Sequence, residues 1–252
     1  MPKPLKFLAF DTSTDRLSVA LTDGARVWQH SSRGGPQASV TLIPAILALL
    51  AESGLALGEL DAIAFGRGPG SFSGLRTACA VAQGLALGAG IAVLPIDTLM
   101  ALAEEARFQQ AGVRAEGAAP LTVMALLDAR MDEMYVQSYE FGSGVCRSLR
   151  GCELVRPENL VPGPAVQLLA GNVFGVYAGR LPASLAGLPC VPAYPTAAAL
   201  LRLAPALAAA GQCIDAAQAL PLYVRDKVAQ TTDERARIKA DALAAPVMPL
   251  ES

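Results

Sequence analysis

The stretch Phe65-Gly66-Arg67-Gly68-Pro69-Gly70-Ser71-Phe72-Ser73-Gly74-Leu75-Arg76 limits what this chain can fold into more than any other. The apolar run Asp61–Phe65 leads into it and reads as a buried strand. The small-residue run Ser73–Gly88 leaves it and reads as a helix. Glycines at 66, 68 and 70 let the backbone turn through conformations closed to other residues, and Pro69 fixes one dihedral. A strand, a tight turn and a helix start make an anion cradle, because the first N–H groups of a helix have no internal partner. A purely structural strand-to-helix turn is the alternative. Neither common nucleotide motif is satisfied. Gly74 is followed by Leu75-Arg76 where a Walker A loop needs Lys-Ser/Thr, and serines stand where a dinucleotide fingerprint needs its third glycine.

The chain has 252 residues, enough for one large domain or two small ones, and its formal charge of −2 offers no basic excess for holding nucleic acid. Five cysteines (79, 146, 152, 190 and 213) form no Cys-x-x-Cys pair, and with one histidine a Cys/His zinc site is not expected. The odd cysteine count and the absence of a secretory leader point to a reducing, cytoplasmic location. Of two apolar candidates for a membrane span, Ala78–Pro95 carries Gln83 and is half alanine and glycine, and Thr196–Gly211 is broken by Arg202 and Pro205. Neither supplies the roughly 20 strongly apolar residues required.

Leu5–Phe10 reads as a buried strand followed by the polar turn Asp11-Thr12-Ser13-Thr14-Asp15. Leu17–Leu21 and Ala25–Ser31, joined at Asp23-Gly24, complete a three-stranded meander. The pattern predicts a helix over Gln37–Ser53, stopped by Gly54, with Pro44 inside it and Leu42, Ile46, Leu49 and Leu50 on one stripe. Gly74, Ala78, Ala82 and Ala86 line one face of the next helix, suited either to close helix–helix contact with a partner or to internal packing. Ile91–Leu94 is a strand, and Asp97-Thr98 caps a helix to about Gln110. After the soft segment Gly112–Pro120 come strands at Leu121–Leu127, Met134–Phe141, Val145–Leu154 and Ala165–Ala170. A helix over Thr196–Ala210, interrupted near Pro205, and a short helix before Arg225 follow. This alternation predicts α/β layers. It also predicts three segments: 1–111, 112–225 (its last helix packing back on the first lobe) and a polar mobile tail, 226–252. Arg225, Lys227, Arg235, Arg237 and Lys239 stand among Asp226, Asp233 and Glu234 around the start of that tail, where they could touch phosphates within a complex.

Asp11-Thr12-Ser13-Thr14, the run Ala64–Arg76, Gln83-Gly84-Leu85-Ala86, Asp128-Ala129-Arg130-Met131 and Tyr223-Val224-Arg225 occur in an order that resembles the TsaB (YeaZ) family of tRNA threonylcarbamoyladenosine biosynthesis proteins. The resemblance extends from Phe7 to about Arg225 and leaves the tail outside. It implies an actin-like ATPase (ASKHA, ribonuclease H-like) fold of two lobes, each a mixed sheet flanked by helices. It also implies a scaffold role. The catalytic paralogue TsaD adds the threonylcarbamoyl group to the adenosine next to the anticodon in tRNAs reading codons that start with A. The ATPase TsaE joins the pair, tRNA is met only through the complex, and the scaffold alone forms a homodimer.

On that resemblance the docking face is assigned to Leu42, Ile46 and Leu49 with Gly74, Ala78, Ala82 and Ala86. A vestigial nucleotide or phosphate site is assigned to Asp11, Thr12, Ser13, Gly68, Gly70 and Ser71. Asp128 and Arg130 follow a strand and can form an ion pair across the lobe junction; with Tyr223 and Arg225 they read as a structural hinge or a partner-facing contact. In actin-like ATPases the position of Asp11 serves phosphate and Mg²⁺. The alternative there is a capped turn whose hydroxyls satisfy local backbone. No catalytic residue, metal or tightly bound cofactor is expected of this chain, and ATP and Mg²⁺ are used by the complex. His30 cannot supply the histidine pair of the catalytic relative, and Gln37-Ala38-Ser39 replaces the His-Thr/Ser-Gln run of many members. The competing reading is a self-standing actin-like ATPase or a glycoprotease-like peptidase.

Overall fold

The computed structural model describes residues 4–110, 119–142 and 145–225. Residues 112–118 of the predicted linker, the tip of the 142–144 turn and the tail therefore lie outside the described residues. Within them, eleven strands form two sheets. The first contains β1 (Phe7–Asp11), β2 (Arg16–Thr22), β3 (Val27–Arg33), β4 (Ala62–Gly68) and β5 (Ala92–Asp97), in the order β3-β2-β1-β4-β5. β1, β2 and β3 are antiparallel, and β4 and β5 run parallel to β1. The second contains β6 (Leu121–Arg130), β7 (Glu133–Gly142), β8 (Val145–Ser148), β9 (Glu153–Val155), β10 (Leu168–Gly171) and β11 (Cys190–Pro192). Its order is β11-β10-β6-β7-β8, with β9 pairing further along β7. An antiparallel meander on one side of a founding strand and two parallel strands on the other thus occur twice.

Alternation on the strands of the first sheet explains the layers, since successive side chains point to opposite faces. Leu8, Phe10, Val19, Leu21, Ile63 and Phe65 pack under α1 (Ala38–Ser53) and α2 (Phe72–Ala89). Phe7, Ala9, Ala20, Ala62 and Ala64 face α4 (Ala197–Ala209). α3 (Thr98–Gln109) covers the inner face of the second sheet through Leu99, Leu102, Ala103 and Ala106. The outer face of that sheet carries no α-helix among the described residues. Leu160, Val166, Val173, Tyr177 and Leu185, from irregular segments, close it instead.

Several expectations shift in the structure. The sequence places one long partner for β7 over Val145–Leu154; two short strands share that edge instead, because Gln137 donates to the Ser148 hydroxyl and the Arg150 carbonyl and fills the gap between them. Asp97 does not cap α3 with its side chain but takes Arg67 Nε at 2.6 Å. α4 continues through Pro205, with Thr196 accepting from Ala199 N–H at its start. The open edge of β5 is met by Ile214, which exchanges both backbone hydrogen bonds with Val93.

α3 and α4 are fastened by ions between the sheets. Glu104, 3% exposed, accepts from Arg107 and from Arg202, and Arg202 also reaches Glu105. Arg202 lies over the Phe108 ring. Two guanidiniums compensate the one buried carboxylate, as a buried charge requires. Replacing Glu104 by Ala leaves both arginines without this partner; a loss of about 2 kcal/mol is expected in chemical denaturation. Ala78→Leu, which adds volume between α2 and the sheet, is expected to lose about 1–3 kcal/mol in the same assay.

Candidate functional site

The glycine turn is built around the loop that follows β1. A Cβ on Gly66 would overlap the Asp11 carboxylate, and one on Gly74 would overlap the Thr12 carbonyl oxygen. A Cβ on Gly70 would lie 2.6 Å from the Ser13 carbonyl oxygen, and Gly68, at φ +124°, lies under the Leu222 carbonyl. The two loops are then stitched together. Ser71 N–H donates to the Ser13 carbonyl at 2.7 Å, and the Thr12 hydroxyl donates to the Gly74 carbonyl at 2.7 Å. The glycines therefore serve close backbone approach, and one amide at the start of α2 is already committed.

Asp11 is 1% exposed. Its Oδ1 accepts from the Ser13 N–H and hydroxyl, at 2.9 and 2.6 Å, while Oδ2 is buried beside Gly66 without a hydrogen-bond partner. Burial raises its pKa to about 6, against the lowering effect of the Ser13 bonds. Asp11 and Thr12 do not line the cleft between the lobes, and no cluster of three or more metal-ligating side chains occurs among the described residues. The carboxylate is thus turned into the interior of the first lobe.

The cleft has a volume of about 510 Å³. Ser13, Gly70, Ser71 and Phe72 form one wall; Asp128, Arg130, Met131 and Asn172 form the other; Leu222–Arg225 cross between them. Asp128, Arg130, Tyr223 and Arg225, placed together at the lobe junction from the sequence, thus lie around one space. Arg130 pairs with Asp128 at 3.5 Å. Asn172 accepts from Asp128 N–H at 2.9 Å, the counterpart in the second sheet of the Ser13–Ser71 bond in the first. Tyr177 donates to Asp128 at 2.8 Å, and its own pKa is pushed up to about 12, first by burial and then by that bond. Asn172 and Tyr177 were not singled out in the sequence, although the Gly171-Asn172 turn marks the position.

The seven residues assigned to docking do not face solvent. Leu42, Ile46, Leu49, Ala78, Ala82 and Ala86 are buried against the first sheet within this chain, and Gly74 is buried against the Thr12 carbonyl. An apolar stripe marks the core face of a helix, and these residues take the internal-packing alternative that the sequence also offered for α2. The outer face of the same helices is itself apolar. Val40, Ile43 and Leu47 on α1 are 72, 42 and 54% exposed, and Leu87 on α2 is 76% exposed. Gly84, with open space where a Cβ would stand, lies on the outer side of α2. By length and composition the helical run Gly35–Ser53 passes for a membrane span, but its inner half is part of the core. His30 lies exposed on the edge strand β3, away from the cleft.

Two mixed sheets of one repeated strand order, flanked by helices and enclosing a cleft, define a ribonuclease H-like, ASKHA-like two-lobed protein. A family model described as "TsaD: tRNA N6-adenosine threonylcarbamoyltransferase" matches residues 31–242, beginning later than the resemblance read from sequence and passing beyond Arg225, where that resemblance stops. The tRNA threonylcarbamoyladenosine biosynthesis protein TsaB of Haemophilus influenzae is 34% identical over 235 residues, which are 89% of this chain and 95% of that one. TsaB of Escherichia coli is 37% identical over 136 residues, 54% of this chain and 55% of the relative. The structure of YeaZ from Pseudomonas aeruginosa superposes with a TM-score of 0.77 at 38% identity, covering 87% of this chain and all of that one. The chain belongs to the TsaB family of tRNA threonylcarbamoyladenosine biosynthesis proteins.

Asp11 offers a pH test. An acid whose folded pKa is raised binds its proton more tightly when folded, so its stability contribution is intact below the unfolded value of 3.8 and is lost as pH rises to about 6. Asp11→Asn keeps the acceptor for Ser13 and removes the charge. Its advantage over the parent should be near zero at pH 3, grow toward pH 6.5 to about 3 kcal/mol, and stay flat above, as read from denaturation midpoints across that range.

Proposed function

We propose that this chain is a non-catalytic subunit of the apparatus that makes threonylcarbamoyladenosine in tRNA, and that it works by docking. Its partner is a TsaD-type catalytic paralogue, bound through the outer face of α1 and α2. TsaE joins that pair, and the same face closes a homodimer when the chain is alone. The reading is carried by the exposed apolar side chains Val40, Ile43 and Leu47 on α1 and Leu87 on α2, together with the bare backbone at Gly84. Apolar side chains of this size left in water on adjoining helices favour burial by a second protein. A glycine on that surface lets another helix approach closely.

Family membership supports the role in tRNA modification. The inward placement of Asp11 supports a chain that leaves ATP and Mg²⁺ to the rest of the complex, and the charge of −2 supports contact with tRNA through partners. The domain limits 1–111, 112–225 and 226–252 and the cytoplasmic location belong to the same proposal.

Gly84→Trp and Leu47→Glu each alter only the outer face. Both variants should melt like the parent yet lose co-purification with the co-expressed TsaD paralogue from the same organism, and with it threonylcarbamoyladenosine formation in a reconstituted assay. Retention of the paralogue by both folded variants would place the docking face elsewhere.

A further inference from the structure

We infer that the segment Pro221–Arg225 is a latch that clips the second lobe to the first, and that releasing either end of it loosens the hairpin between β6 and β7. The inference concerns the chain on its own and does not rest on the docking proposal.

At its first-lobe end the segment is held in three ways. Leu222 N–H donates to the Arg67 carbonyl at 2.7 Å, and the Leu222 carbonyl lies over Gly68 where a side chain would not fit. The Tyr223 ring packs 5.4 Å from that of Phe72. The Tyr223 hydroxyl accepts from Arg76 Nε at 3.1 Å, and the Arg76 guanidinium itself lies over the Phe72 ring. At its second-lobe end Arg225 pairs with Glu133 at 2.6 Å and donates to the Arg130 carbonyl and the Met131 sulfur.

What Arg225 holds is a hairpin that has reason to relax. Arg130, Met131 and Asp132 take φ of +61°, +55° and +60° in succession, a left-handed run of residues none of which is glycine. Such residues keep that conformation only where their surroundings over-determine it. Here Asp128 accepts from Arg130 N–H, Arg180 takes Asp132 at 2.6 Å, Tyr177 donates to the Glu133 carbonyl, and Arg225 adds its bonds to the Arg130 carbonyl, the Met131 sulfur and Glu133. Arg225 Nε is buried without a partner, so the guanidinium is kept there by its other bonds. A disfavoured hairpin held by a removable clip is a two-state element, and the clip is anchored on the helix end that carries Phe72 and Arg76.

Hydrogen–deuterium exchange on the full chain tests this. Tyr223→Ala touches only the first-lobe end. It should nonetheless speed exchange of the amides of 130–135 by at least about tenfold, as should Arg225→Ala, while the amides of β1 and β4 keep their protection. Acceleration confined to 221–225 in a folded Tyr223→Ala variant would overturn the latch. Should Tyr223→Ala lose protection throughout, Arg76→Ala, which removes the anchor from outside the segment, takes its place: faster exchange at 130–135 supports the latch, and unchanged exchange there sinks it.

Discussion

The structure depends on backbone meeting backbone between the loop after β1 and the turn after β4. Three glycines, at 66 in β4, 70 in the turn and 74 in α2, are spaced so that Asp11, Ser13 and Thr12 can lie directly against them. A Cβ at any of the three would push the loops apart, and with them the start of α2 from the end of β1. That start positions Phe72 and Arg76, which in turn hold Tyr223. The same contact buries Asp11 with one oxygen unpartnered, which is why its ionisation opposes folding near neutral pH.

This accounts for what could be read from the sequence and what could not. Glycines at 66, 68 and 70 announced a strand–turn–helix, and the turn stands there. Their spacing could not say whether the space they leave is filled by a ligand or by the chain itself, because both uses demand a missing side chain. The helices announced themselves by apolar period, and Gly54 and Gly90 end α1 and α2 in the left-handed conformation expected of them. Periodicity identifies a stripe without saying which stripe faces inward when both are apolar. On α1, Leu42, Ile46 and Leu49 outcompete Val40, Ile43 and Leu47 for the core, and only the packed sheet decides between them.

No local pattern groups the four residues placed at the lobe junction. Asp128, Arg130, Tyr223 and Arg225 are separated by up to 97 positions (225 − 128) yet line one cleft. Nothing local in the run Pro221–Arg225 marks it as a crossing between lobes. The repeated strand order was equally hidden, since the two halves carry different loops and only the hydrogen-bonded register brings β1 and β6, or β4 and β10, into correspondence.

The halves differ most in what covers their outer sides: two helices on the first sheet, irregular chain between Pro157 and Leu188 on the second. A helix changes length only by rotating its whole apolar face, about 100° for each residue added. An irregular cover has no such phase to keep, and doubling a loop adds only about 0.6 kcal/mol of closure entropy. Insertions and deletions are therefore tolerated on one side of this molecule and punished on the other. Divergence in length should accumulate over the second sheet, while the helical side stays fixed in size as its surface residues drift.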